Sequence, residues 1–156
     1  MAAQGNASCP PEPWTLSNPP YSQCSASSVC SNNAIGTSHG LGRLDSSQAW
    51  SSKHNSVGQW WQIDVGSILA IAGVRTQGRP SPYHSQRVTS FKVYASTDSS
   101  SWWWVGNGQV FTGNSDSNTY VDNVFGASIS ARYIRIYPQT WNSHMSMRSA
   151  LLMGNG

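Results

Sequence analysis

Charged side chains are scarce in this sequence: only 10% of its 156 residues are Asp, Glu, Lys or Arg, against about a quarter in an average protein. The six acidic residues are five Asp and one Glu, and no two of them share a motif. Glycosidase chemistry needs two carboxylates a few ångströms apart. Nucleophile-elbow, zinc-protease and phosphate-loop motifs are also missing. The sequence therefore predicts that the protein is not an enzyme.

Runs of basic or apolar residues are missing as well. The nine Lys and Arg are scattered and give a net charge of +3, whereas a nucleic-acid binder concentrates them on one face. We therefore expect no nucleic-acid partner, while a mild preference for anionic membrane surfaces stays open. No apolar run is long enough for a transmembrane helix. The first residues, MAAQGNAS, lack the apolar centre of a signal peptide.

Cysteine is rare and confined to the first fifth of the chain, at Cys9, Cys24 and Cys30. An odd count leaves at least one thiol unpaired within a monomer. Cys24 and Cys30 are spaced to close a small loop through a disulfide, and three buried thiols are the alternative. No set of Cys and His residues has the spacing of a zinc site.

What the sequence does contain, from Gln59 onward, is short runs that alternate apolar and polar residues between turns rich in Asp, Ser, Asn and Gly. This is the pattern of antiparallel β-strands. The predicted strands are WWQIDVG, LAIAGVRTQG, SFKVYAS, WWWVG, VFTG, TYVDNVF, ARYIRIYP and MSMRSALLM. We expect ARYIRIYP to stop at Pro138 and QTWNSH to form a loop. About eight strands indicate an all-β sandwich or jelly roll.

The remaining segments are irregular. Residues 1–20 carry five of the eight prolines and are predicted to form an N-terminal tail, which leaves residues 21–156 as a single domain. Residues 24–58 are polar and dominated by loops, with short strands at most. Pro80 and Pro82 exclude residues 79–87 from a central strand and make them a loop.

Several segments, in this order, resemble the discoidin family, which is also known from the C domains of coagulation factors V and VIII. They are SQCSASS at 22–28, GRLDSSQAW at 42–50, QWWQIDVG at 59–66, GVRTQGR at 73–79 and ARYIRIYPQTWNSHMSMR at 131–148. The last is most similar to the slime-mould discoidin lectins. The resemblance implies a jelly-roll β-sandwich, in agreement with the strands. It also implies an extracellular or secreted lectin for galactose or N-acetylgalactosamine, active in cell adhesion or recognition, with homo-oligomers as a further expectation.

The resemblance also implies where ligands bind, namely on loops at one end of the sandwich, here roughly 31–45, 50–58, 79–87 and 139–144. Arg79 is expected to donate two parallel hydrogen bonds to vicinal hydroxyls or to a carboxylate of the ligand; a surface arginine without a ligand is the alternative. Tyr83 is expected to stack on a galactose-like ring, or else to pack within its loop. The other candidate ligand-binding residues are His84, Arg87, His39, Asn142, His144 and Trp50, and for Trp50 the alternative is the hydrophobic core.

Two departures from the family pattern concern Asp45 and the cysteines. The family usually ends in Arg-x-Glu followed by a Cys that pairs with the first Cys, but here Arg148 precedes Ser and Ala, and Gly154 stands near the place of the Cys. Cys9 therefore lacks its usual partner. In related modules that Glu helps to hold calcium, so a calcium site here would depend on Asp45 and backbone carbonyls. Otherwise Asp45 accepts ligand hydroxyls or bonds its own backbone.

Other charged and aromatic residues are expected to be structural. In the family the strands of Asp64 and Arg148 pair, which implies a buried ion pair between these two residues. Arg132 and Arg135 are expected to support the fold. In Trp102–Trp104 the side chains alternate between faces, so one or two of the three should reach the core.

The rival interpretation is an adhesion module for phospholipid or matrix protein. The blood-clotting relatives bind phosphatidylserine through apolar residues on the same loops. Here those loops carry Ile35, Leu41 and Tyr83 but few other large apolar residues, and no cluster of Lys or Arg surrounds them. The sequence therefore favours sugar over membrane, and it leaves a protein ligand such as collagen open.

Overall fold

In the computed structural model, which describes residues 13–83 and 85–154, nine β-strands are joined by loops and three-residue 3-10 turns. The strands are β1 (Trp14–Ser17), β2 (Cys24–Ala26), β3 (Trp50–Ser51), β4 (Trp61–Gln77), β5 (Arg87–Ser96), β6 (Trp103–Trp104), β7 (Phe111–Thr112), β8 (Val121–Asn142) and β9 (Ser146–Gly154). Within the described ranges, no helix has the length and apolar character that crossing a membrane requires. The all-β prediction is confirmed.

The strands pair antiparallel in the order β1-β9-β4-β8-β5-β6, with β2 on β4, β3 on β9 and β7 on β5 as side branches. Residues 69–76 of β4 pair with the first half of β8, whereas residues 61–64 pair with its second half, and an irregularity in register separates the two stretches. Because both long strands change direction there, the sheet curls over and encloses a core. The resulting architecture is the expected jelly-roll sandwich.

Three features differ from the sequence expectations about strand ends. WWQIDVG and LAIAGVRTQG are one strand, and TYVDNVF and ARYIRIYP are another, because bulges continue the pairing across each break. Strand β8 passes through Pro138 as far as Asn142, since Pro138 lies at a register shift opposite Phe91, where no ladder donor is needed. Strand β1, within the segment expected to be a tail, pairs with β9.

The core is built from the inward positions of the alternating strands. Trp50 and Trp61 are completely buried, with ring centroids 6.1 Å apart. Inward residues of β5 and β8, among them Phe91, Val93 and Ile134, close the core from the opposite layer. The regular alternation in the sequence therefore reports which side chains face inward.

The tryptophan triplet does not reach the core, contrary to expectation. Trp102 is half-buried, and Trp103 and Trp104 are each 39% exposed. The reason is that β6 is a two-residue strand at the edge of the sheet and pairs with Tyr94 and Ala95 of β5. Trp102 and Trp104 pack instead on the outer face of that sheet against Tyr94.

The expected disulfide is wrong, because Cys24 and Cys30 are both free and half-buried. The Cys24 thiol donates to the carbonyl of Pro20 at 3.7 Å, and burial raises its pKa to about 11. Cys24 lies in β2, and Cys30 begins a 3-10 turn beyond it. Cys9 lies outside the described residues.

The expected ion pair between Asp64 and Arg148 is also wrong. Arg132 donates to both oxygens of Asp64, at 2.8 and 3.1 Å. The register of β4 and β8 sets Asp64 opposite Tyr133, so Arg132 is the adjacent cation. The hydrogen bond from Arg132 holds the pKa of the Asp64 carboxyl below its usual value, despite the opposing effect of burial.

Candidate functional site

One end of the sandwich collects most of the candidate residues. The loop over residues 78–86 connects β4 to β5, and the turn at 143–145 connects β8 to β9. The long connection between β2 and β3 reaches the same end, because Gln48 contacts Arg79. We call this end, formed by the loops at 33–48, 52–55, 78–86 and 143–145, the loop tip.

Arg79 lies at the centre of the loop tip and is only 6% exposed. Its Nε and Nη2 donate to Oε1 of Gln48 at 3.2 and 2.9 Å, and its Nη1 donates to Oε1 of Gln86 at 2.8 Å. A guanidinium has five N–H donors, and these bonds occupy three of them. The two amides therefore fix the orientation of the guanidinium, and two of its N–H groups are left without a hydrogen bond to these amides.

Tyr83 covers the Arg79 guanidinium, with the ring centroid 3.6 Å from Cζ. A cation at this distance from an aromatic face is attracted by the ring quadrupole. Tyr83 itself is 40% exposed, so the pair presents an aromatic surface to solvent above a fixed set of donors. The structure thus places two of the sequence-predicted residues together.

His144 is held by both of its ring nitrogens. Its Nε2 lies 2.9 Å from the carbonyl of Ser52, and its Nδ1 lies 3.2 Å from the side-chain nitrogen of Asn55. Because a carbonyl only accepts, Nε2 carries the proton and Nδ1 accepts from Asn55. His144 therefore anchors the loop at 52–60 to the turn at 143–145.

His39 lies half-buried, and the buried Nδ1 of its ring has no hydrogen-bond partner among the described residues. Burial lowers the pKa of His39, and the positive charge of Arg79, with that of His144 when its ring is protonated, lowers it further. A proton on His39 is thus disfavoured in the folded state.

We expect the stability of the protein to fall as the pH is lowered from about 7.5 to about 5.5. The unfolded chain binds a proton at His39 near the ordinary histidine pKa of about 6.5, whereas the folded pKa is lower. Protonation of His39 therefore favours unfolding. The stability that neutral His39 contributes is fully present only at a pH above the pKa of His39 in the unfolded chain. Urea midpoints measured across this window for wild type and His39→Gln provide the test. A variant with the same pH slope as wild type would contradict the assignment.

The other candidates at the loop tip have structural partners. The side-chain nitrogen of Asn142 donates to the carbonyl of Ser85 at 2.6 Å and ties β8 to the loop at 78–86. Arg87 opens β5 opposite Asn142. Trp50 is fully buried, so the structure rejects it as a ligand platform and confirms its core alternative. His84 lies outside the described residues.

Asp45 belongs to a different cluster. Its two carboxylate oxygens accept from Nε2 of Gln77 at 3.2 Å and from the hydroxyl of Tyr120 at 2.6 Å. Calcium needs about six to eight oxygen ligands, but both Asp45 oxygens already accept hydrogen bonds. In addition, the described residues contain no group of three or more His, Cys, Asp or Glu that could hold a metal. The residues present do not fit a calcium ion.

Sequence reasoning missed two residues, Gln48 and Gln86. Both are half-buried, and their side-chain oxygens accept the hydrogen bonds that orient Arg79. The hydroxyl of Ser146 also donates to Gln86, at 3.2 Å. Gln48 lies in the GRLDSSQAW segment, but nothing in the local pattern of either glutamine indicates a partner 31 or 7 residues away.

Comparison with known proteins is consistent across sequence and structure. The F5/8 type C domain model matches residues 23–151. Mouse lactadherin is 38% identical over 152 residues, which cover 90% of this chain and 33% of lactadherin. The chain spans about a third of the length of the lactadherins from mouse and rat that it matches.

Two solved structures show the same architecture. Discoidin II of Dictyostelium discoideum is 30% identical, with a TM-score of 0.67, over 85% of this chain and 55% of that one. A family 32 carbohydrate-binding module from C. perfringens, solved in complex with galactose, has a TM-score of 0.62 over 88% of this chain and 98% of that one. At 14% identity the second likeness concerns the fold alone.

Proposed function

The chain belongs to the F5/8 type C (discoidin) family, and on that premise we propose that it is a lectin that binds galactose or N-acetylgalactosamine through the loop tip. The observation that supports this most is the pair formed by exposed Tyr83 and the fixed guanidinium of Arg79. An aromatic face accommodates the apolar face of a pyranose, and guanidinium N–H groups donate to its hydroxyls. The module acts as a binding domain, without catalysis.

The loop tip offers oriented hydrogen-bond donors. Arg79 has amide oxygens as its side-chain partners and no carboxylate contacts it among the described residues, so its remaining N–H groups can bond a sugar hydroxyl. Of the apolar residues expected for membrane insertion, Ile35 packs against the core and Leu41 is half-buried, whereas Tyr83 is exposed. Among the described residues, Val57 is the other exposed large apolar residue of the expected ligand loops. We expect a single site of this kind to bind weakly, with a dissociation constant of about 1 mM, or about −4 kcal/mol. Useful avidity would come from several sites presented together, in homo-oligomers at an extracellular surface.

We expect Tyr83→Ala to weaken binding to immobilised galactose at least about tenfold, because it removes the exposed stacking surface above Arg79. The unfolding temperature should change little, since Tyr83 is 40% exposed. Retention on galactose-agarose and calorimetric titration with N-acetylgalactosamine measure the effect.

Tyr120→Ala is the matched control. Tyr120 is 44% exposed and also lies over a guanidinium, that of Arg75 at 4.7 Å, but it contacts Asp45 rather than Arg79. Equal losses in the two variants, or binding to anionic vesicles with no retention on galactose, would overturn the proposal.

A further inference from the structure

The outer face of the sheet formed by β4, β8, β5 and β6 carries a continuous cluster of aromatic side chains. Arg135 lies between Trp60 and Trp102, with Cζ 3.9 and 4.2 Å from the two ring centroids. Trp102 stacks on Tyr94 at 5.3 Å, and Tyr94 lies 4.3 Å from Trp104. We call this set, Trp60, Arg135, Trp102, Tyr94 and Trp104, the aromatic ladder. None of its members contributes to the loop tip.

The aromatic ladder ends in a cavity. Tyr137 meets Trp104 edge to face at 5.1 Å, and a hollow of about 190 Å³ opens beside these two rings. Its walls are Val57, Gly58, Lys92, Trp104, Tyr137 and Gln139. Pockets for drug-sized ligands measure about 300–1,000 Å³, so this cavity suits a ligand the size of one sugar ring.

Two polar groups of the cavity are available to a ligand. Among the described residues Lys92 has neither an ion pair nor a hydrogen bond, and its Nζ lies 5.8 Å from the centroid of Trp104. Gln139 donates its Nε2 to the carbonyls of Tyr137 and Pro138, which leaves its side-chain oxygen free to accept a hydroxyl. A cation and an acceptor therefore flank an aromatic surface.

The charge of this face favours an anion. The outward positions of its strands carry the cations Lys92, Arg132 and Arg135, and among the described residues the ion pair that involves them is that of Arg132 with Asp64. Asp64 is already bound by Arg132. Lys92 is thus the cation with capacity for an external carboxylate.

We propose that this cavity is a second saccharide site, distinct from the loop tip, and that it binds one acidic pyranose. The apolar face of the ring stacks on Trp104, its carboxylate pairs with Lys92, and a hydroxyl donates to Gln139. The open side at Gly58, where an added Cβ would meet nothing within 4 Å, admits the rest of a glycan chain.

The packing of the aromatic ladder limits the occupant to a single ring. Tyr94 is covered by Trp102 on one side and by Trp104 on the other, so these rings stack on each other rather than on a ligand. Trp104, which is 39% exposed, is the member that offers open surface beside the cavity. Single-stranded nucleic acid needs several free platforms in succession, which this arrangement does not provide.

The test is a titration of the isotope-labelled protein with methyl galacturonide and with an N-acetylneuraminic acid glycoside, followed through the indole N–H signal of Trp104. We expect this signal to shift with at least one acidic sugar and to remain unmoved by neutral methyl galactoside. The comparison of the two acids shows whether the site prefers the carboxylate of a uronic acid or that of a neuraminic acid. Raising the salt concentration from about 20 to about 300 mM should weaken binding of the acidic sugar and leave any binding of the neutral sugar unchanged.

The chain offers matched control variants. Lys92→Gln should weaken binding of the acidic sugar at least about tenfold. Lys53→Gln, which removes the other lysine, should leave the affinity within about twofold of the wild-type value. Because Trp104→Ala removes the reporting indole, this variant is followed by calorimetric titration, and it should show no binding. Trp103→Ala, an equally exposed neighbour without a ring contact among the described residues, should bind as wild type does. Amide spectra establish that each variant is folded.

Any of four results would overturn the inference. One is an unchanged Trp104 signal at saturating concentrations of both acids. Another is an equal response to acidic and neutral sugars. A third is an equal loss of affinity for Lys92→Gln and Lys53→Gln. The fourth is a Trp104 signal that responds to anionic vesicles or to oligodeoxythymidine but to neither acidic sugar. Loss of the loop-tip site through Tyr83→Ala should leave acidic binding intact, which keeps the two sites experimentally separate.

Discussion

Arg148→Met is expected to lower the free energy of unfolding by about 3–5 kcal/mol. Arg148 is 3% exposed, and its guanidinium joins three separate parts of the chain. It donates to the carbonyl of Gly78 at 2.8 Å, to that of Ser46 at 2.9 Å and to that of Ser117 at 2.7 Å. Each acceptor left without a donor costs about 1–3 kcal/mol. Methionine fills the volume but supplies no donor.

Arg148→Lys should recover only part of this loss, because an ammonium on a flexible stem cannot reproduce the planar arrangement of guanidinium donors. Burial lowers the pKa of Arg148, and the nearby Asp45 carboxylate opposes that effect. Urea unfolding followed by tryptophan fluorescence measures all the variants on one scale.

Arg132→Met is the control for Arg148→Met. Arg132 makes the ion pair with Asp64, but its side chain is 37% exposed, and exposed ion pairs contribute about 0–1 kcal/mol. If Arg132→Met cost as much as Arg148→Met, the stabilising role assigned to Arg148 would be wrong. The contrast also tests the finding that Asp64 pairs with Arg132.

Trp50→Ala is the second substitution with a large expected effect, a loss of about 3–5 kcal/mol. The side chain is fully buried against Trp61, and its Nε1 donates to the carbonyl of Ser28 at 2.8 Å. Alanine would leave a cavity and an unpaired acceptor. Thermal and urea unfolding give the measurement.

Trp50→Phe keeps the test decisive if the alanine variant does not fold. It should cost less, because a ring is retained, and it should bind galactose as wild type does, since Trp50 presents no surface to a ligand. Trp103→Ala, at an exposed edge position, should change stability by less than about 1 kcal/mol. Loss of galactose binding in a stable Trp50→Phe protein would restore Trp50 as a ligand contact.

Most of the fold was predictable because alternation is a local property. A residue two positions along a strand faces the same way wherever the strand lies, so the runs around Ile63, Phe91 and Ile134 showed their buried faces in the sequence itself. The family segments then ordered these strands into a sandwich. They also indicated the loops that carry Arg79 and Tyr83, which the structure places in contact.

Partners across the sheet were decided only by the tertiary structure. Asp64 takes Arg132 rather than Arg148 because the register of β4 on β8, set between residues 68 apart, brings that arginine beside it. The same holds for Arg79, which hydrogen-bonds two glutamines from different loops. It also holds for Trp104, because the edge strand that carries it directs its side chain to the outer face of the sheet. Sequence determines which way a side chain faces, whereas its neighbour depends on the register and curvature of strands that meet only after folding.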